Sequence, residues 1–176
     1  MMKRLLIISS WFQIIWFLAV VGQYSWQWLT LALAVMTFVA TAFATKVPWF
    51  KVLLIFAIGV SVDWLNMSLG VLQFEHGSFP VWLFSLWLIF IWYSYFLYPL
   101  LSQYPISLVS MVGGVGGALS YIAGEKLGAV TFGLPLITTS GILLIEWTIL
   151  IALIIRVYGY ETHHGNNKLP TTDREC

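Results

Sequence analysis

The sequence predicts an all-α polytopic membrane protein, a bundle of about six transmembrane helices with both termini on the cytoplasmic side. Composition is the first reason. Of 176 residues, 60% are hydrophobic and 9% charged, with a mean hydropathy of +0.91. Soluble domains carry about 25% charged residues, and one of this size has too much surface for its volume to hide so much apolar side chain. The second reason is run length: the apolar residues fall into stretches close to the roughly 20 helical residues that cross a hydrocarbon core. The third is the placement of the basic residues, which favours six crossings over five or seven.

The six runs are Leu5 to Val21, Trp26 to Thr45, Trp49 to Leu72, Val81 to Leu101, Ile106 to about Ala129, and about Leu136 to Tyr158. Turn residues separate them: Gly22-Gln23, Val47-Pro48, Gly77 to Pro80, Ser102 to Pro105 and Gly133 to Pro135. Helices suit such runs, because an open sheet leaves backbone groups unpaired in lipid. The basic start at Lys3 and Arg4 resembles a signal peptide. However, the apolar run that follows is longer than the usual h-region and no A-x-A site ends it, so it reads as a first span. With six crossings, Lys3, Arg4, Lys46, Lys51, Arg156, Lys168 and Arg174 all fall on one side, which the positive-inside rule makes the cytoplasm. Lys126 alone falls near the other face. Residues 1–158 thus form the transmembrane domain, and the polar stretch 159–176 reads as a disordered cytoplasmic tail.

The same composition excludes several functions. A net charge of +1 provides no basic field for nucleic acid. The single cysteine, Cys176, allows no internal disulfide, and no Cys/His spacing suits a metal. No phosphate-binding loop, HExxH, GxSxG or dinucleotide fingerprint occurs, so neither a cofactor nor an enzyme class is indicated. Glu75 and His76 are adjacent in an outer loop without a nucleophile or metal partner, which is weak ground for acid–base chemistry. His163 and His164 lie in the polar tail.

Candidate functional residues lie inside the spans. Asp63 and Glu146 are mid-span acids, and an acid at a helix centre costs about 2.5–3.5 kcal/mol on insertion scales. Both should therefore face the bundle interior. Asn66 is three residues from Asp63, on the same helix face. Ser61, Gln13 and Thr148 are further potential partners. Asp63, Asn66 and Glu146 are expected to converge on one polar site, or each acid to bond separately to its own neighbour. Asp63-Trp64 and Glu146-Trp147 echo one another as the two halves of an inverted repeat would, although with ten tryptophans chance can supply two such dipeptides. Glu125 is a further candidate, although snorkelling beside Lys126 near the outer interface is the plainer expectation.

Gly116, Ser120, Gly124 and Gly128 recur every fourth position and are expected to form a close helix contact, within the chain or across a homodimer. In the aromatic run from Trp82 to Tyr98, the ends suit the interface belt. Trp87 and Phe90 sit deeper, suited to core packing or to a pocket for a lipid or isoprenoid chain. The bilayer is the expected partner, with a second copy or another membrane protein after it. The favoured function is a small transporter or permease-like protein built around the acids. The alternative is a membrane scaffold or accessory protein in lipid or envelope handling.

Two stretches carry a family likeness. Val81-Trp82-Leu83-Phe84-Ser85-Leu86-Trp87-Leu88-Ile89-Phe90 resembles a Trp-Leu-x-x-Leu-Trp-x-x-Phe element, and Gly116 to Val130 resembles a glycine-rich element. Both belong to small bacterial inner-membrane proteins grouped as domain of unknown function 2878. Ala118 departs from the proline that often follows the paired glycines there, which implies a straighter helix. The resemblance implies a multi-pass protein of the bacterial inner membrane and transfers no functional residue.

Overall fold

The computed structural model describes residues 2–45 and 47–165. Among them are five helices, α1 (Met2–Ala44), α2 (Trp49–Ser68), α3 (Val81–Leu101), α4 (Ile106–Lys126) and α5 (Leu136–Gly165). All five are long and apolar enough to cross a membrane. Two short strands, β1 (Leu72–Gln73) and β2 (Thr131–Phe132), pair antiparallel.

α1 is not one rod. Gln23 has φ 42° and ψ −127°, a left-handed conformation that no α-helix contains. Trp11 Nε1 donates to Thr37 Oγ1 at 3.0 Å, yet 26 residues of straight helix would part them by about 39 Å. The chain therefore folds back at Gln23 into two antiparallel arms, residues 2–22 and 24–44. Thr37 and Thr41 each bond back to the carbonyl four residues earlier, the usual way a hydroxyl is satisfied inside a helix. Their oxygens also accept indole N–H groups from Trp11 and Trp92, tying the second arm to the first and to α3.

The connections gather at two ends. Gln23 Nε2 donates to the Leu127 carbonyl at 3.3 Å, the Tyr24 ring lies 4.2 Å from that of His76, and Leu72 pairs with Phe132. The turn at Gln23 and the loops after α2 and α4 thus form one cap. At the opposite end Arg4 lies over the Phe96 ring, and Tyr98 packs on Tyr158. Several expected run ends shift by a few residues. α2 stops at Ser68 and α4 at Lys126, because each chain then enters the strand pair. α5 continues past Tyr158 to Gly165, and residues 166–176 of the expected tail lie outside the described residues.

Within the chain, the close glycine contact of α4 falls on residues other than Gly116, Ser120, Gly124 and Gly128. A side chain at Gly113, Gly114 or Gly117 would run into Ile151, Thr148 or Trp147 of α5, so these three glycines are where α4 and α5 approach closely. Gly116 meets nothing within 4 Å, and Gly124 meets only Val130 at 3.7 Å. Gly128 lies beyond the end of α4 with φ 75°, terminating the helix rather than packing it. Ser120 accepts a 2.9 Å bond from Trp16 Nε1 of the first α1 arm. Small residues occur on two adjacent faces of α4, and spacing alone does not say which face meets a helix. Gly117→Leu is expected to cost about 1–3 kcal/mol or more through overpacking, and Gly116→Leu almost nothing. Thermal unfolding of the two variants in detergent checks this ordering.

Candidate functional site

α2 buries a single stripe, Val52, Ile55, Gly59, Asp63 and Asn66, spaced three or four apart. The stripe delivers Asp63, 2% exposed, into the bundle interior. There one carboxyl oxygen, Oδ2, accepts two hydrogen bonds, from Trp87 Nε1 of α3 at 2.6 Å and from the Tyr121 hydroxyl of α4 at 2.5 Å. Asn66, also 2% exposed, donates its Nδ2 to Glu146 Oε2 of α5 at 2.8 Å. The structure thus brings Asp63, Asn66 and Glu146 into one neighbourhood supplied by four helices. It leaves Glu125 at the end of α4, where its carboxylate pairs with Lys126 Nζ at 3.2 Å. Adjacent helical residues point about 100° apart, but these two side chains are long enough to meet. Lys126 is 68% exposed, so solvent screens the pair.

The other potential partners lie elsewhere. Ser61 and Thr148 bond back to the carbonyls of Ala57 and Leu144. Gln13 lines a separate groove. The donors that do reach Asp63 are aromatic. A buried indole N–H or phenol O–H requires an acceptor, and that demand was the available signal for Trp87 and Tyr121.

Two glycines set the ring positions. Gly59, four residues before Asp63, has the Trp87 ring where a side chain would be. Gly117, four residues before Tyr121, has the Trp147 ring in the same relation. The two indoles stack between these helices, centroids 5.4 Å apart and 7° from parallel. Phe90 meets Trp147 edge-on at 5.1 Å. The two acid–Trp dipeptides are not equivalent: Trp64 is 56% exposed, whereas Trp147 belongs to this stack.

On the far side of the rings lies a groove of about 710 Å³ between the first α1 arm, α3 and α4. Trp87, Tyr121 and Trp147 line it, and Gly116, Ser120 and Gly124 face it. Leu108, Val112 and Leu119 line the groove and are also more than half exposed, so it opens sideways onto the outer apolar surface. From Leu108 to Gly124 it follows α4 for about 24 Å at the helical rise of 1.5 Å per residue. Neither acid nor Asn66 reaches its wall. Among the described residues no group of three or more His, Cys, Asp or Glu side chains could hold a metal ion.

A family model described as protein of unknown function (DUF2878) matches residues 5–153. No curated protein and no solved structure matches the chain.

Asp63→Leu removes the shared acceptor and leaves two buried donors unpaired, an expected loss of about 2–4 kcal/mol. Asp63→Asn retains an acceptor oxygen and should lose less. Chemical unfolding followed by tryptophan fluorescence distinguishes them.

Proposed function

The chain belongs to the DUF2878 family of proteins of unknown function, and from its geometry we propose that it handles membrane lipid, admitting one hydrocarbon chain sideways from the bilayer into the α1–α3–α4 groove. The observation that carries this reading is the groove itself. It is long, apolar and continuous with the outer surface, where Ile7, Met36, Ile137, Ile145 and other large apolar side chains are exposed. A surface of that kind is solvated by lipid chains, and a groove continuous with it fills from the same solvent. Helices α1 to α5 make six crossings in this reading, two by the arms of α1, with both termini in the cytoplasm of a bacterium and the membrane its inner one. Lys3, Arg4, Lys51 and Arg156 near one end of the bundle support that orientation.

A transporter or permease with a polar path would instead use Asp63, Asn66 and Glu146. In its favour, four helices bring polar groups together inside the bundle. Against it, Asp63 is sealed and its partners are rings that divide it from the groove. The lipid reading needs no such path.

Gly116→Phe fills the groove where nothing opposes a side chain. It should fold as the parent does and lose most of its co-purifying lipid in native mass spectrometry; undiminished lipid would refute the reading. A reporter fused at Cys176 should be active as a cytoplasmic fusion, and a periplasmic C-terminus would overturn the six crossings.

A further inference from the structure

The first arm of α1 carries Ser9, Gln13 and Trp16 at helical spacing, and the last two line the groove. The outer two are paired: the Ser9 and Tyr93 hydroxyls lie 3.3 Å apart, and Trp16 Nε1 donates to Ser120 Oγ at 2.9 Å. Gln13 between them is an exposed residue that lines the open groove and has no hydrogen bond to any described residue. It lies ten residues from the turn at Gln23, about 15 Å along the helix, which is the middle of a hydrocarbon core about 30 Å thick. An amide at that depth without a partner costs several kcal/mol. Trp82, 3% exposed and lining the cap end of the same groove, also leaves its indole Nε1 unpaired among the described residues.

An occupant that is apolar along its length and presents a hydrogen-bond acceptor at mid-membrane depth would partner the Gln13 amide, which can donate as well as accept. A phospholipid keeps its ester and phosphate groups at the interface. A prenyl quinone meets the requirement: an uncharged flat ring with carbonyl acceptors, on a long hydrocarbon tail. The walls beside Gln13 are flat aromatic faces, with Trp16 on the same arm and Phe12 stacked on Tyr93 at 4.6 Å. Such faces suit a ring. We infer that the groove is a binding site for a lipid of the prenyl-quinone class, with the Gln13 amide donating to a ring carbonyl. The inference rests on the lipid reading of the groove and narrows its occupant.

The test is quenching of tryptophan fluorescence in the purified full chain, with decylubiquinone and separately with a phosphatidylcholine brominated on its chains. Saturable quenching by decylubiquinone is expected. Gln13→Leu should weaken it about threefold to tenfold, the worth of one neutral hydrogen bond, and Gly116→Phe should remove it. Quenching by decylubiquinone that is equal in the parent and in Gln13→Leu overturns the assignment. So does a Gln13→Leu change from dimer to monomer with unaltered quinone binding, which would place Gln13 against a second copy. Quenching by the brominated lipid that Gly116→Phe abolishes but decylubiquinone does not displace leaves the lipid reading standing and ends the quinone assignment. If neither quencher reports on the groove, both fall.

Discussion

The bundle depends on a requirement peculiar to hydrocarbon: every buried donor and acceptor must find its partner inside the protein. Asp63 is where that requirement concentrates. Its carboxyl oxygen takes the indole of α3 and the phenol of α4, so three consecutive helices meet on one atom. Between lipid-like helices there is little hydrophobic force to choose one arrangement over another. Directional bonds to a buried acid, together with close van der Waals contact, supply the choice. Glu146, tied to Asn66, adds α5 to the same assembly.

Gly59 and Gly117 convert those bonds into a surface. Each lies one helical turn before a residue of the Asp63–Tyr121 pair, and each has an indole in the space a side chain would occupy. The result is a layered arrangement of α2, Trp87, Trp147 and α4. It seals Asp63 on one side and forms part of the groove wall on the other. The same aromatic residues thus separate a polar interior from an apolar cleft, which is why a buried acid and a long apolar groove coexist in so small a chain. Gln13 lines the same cleft from the first arm of α1.

α1 shows how an apolar helix of 43 residues is resolved into two arms. Its 43 residues would reach about 65 Å as a rod. The break at Gln23 turns them into two arms joined by Trp11 and Thr37. Gly22-Gln23 was legible as a turn because glycine and a polar residue interrupt two apolar runs. Its sharpness, with no intervening loop, was not legible.

Composition and run length determined the solvent of this chain, its helical class and the approximate ends of its helices, because those properties follow from the cost of exposing backbone and charge to hydrocarbon. The same cost marked Asp63, Asn66 and Glu146 as inward-facing from their positions alone. Only the tertiary structure decided which side chains answer them. Trp87 and Tyr121 carry no charge and look like ordinary core or interface aromatics until a neighbouring helix brings an acceptor within hydrogen-bonding distance. It also decided which glycines are packed. Gly116 and Gly117 are neighbours of one residue type, yet 100° of helical rotation leaves one open to the groove and puts the other against an indole. That rotation is set by the partner helices, and nothing in the local sequence of α4 contains it.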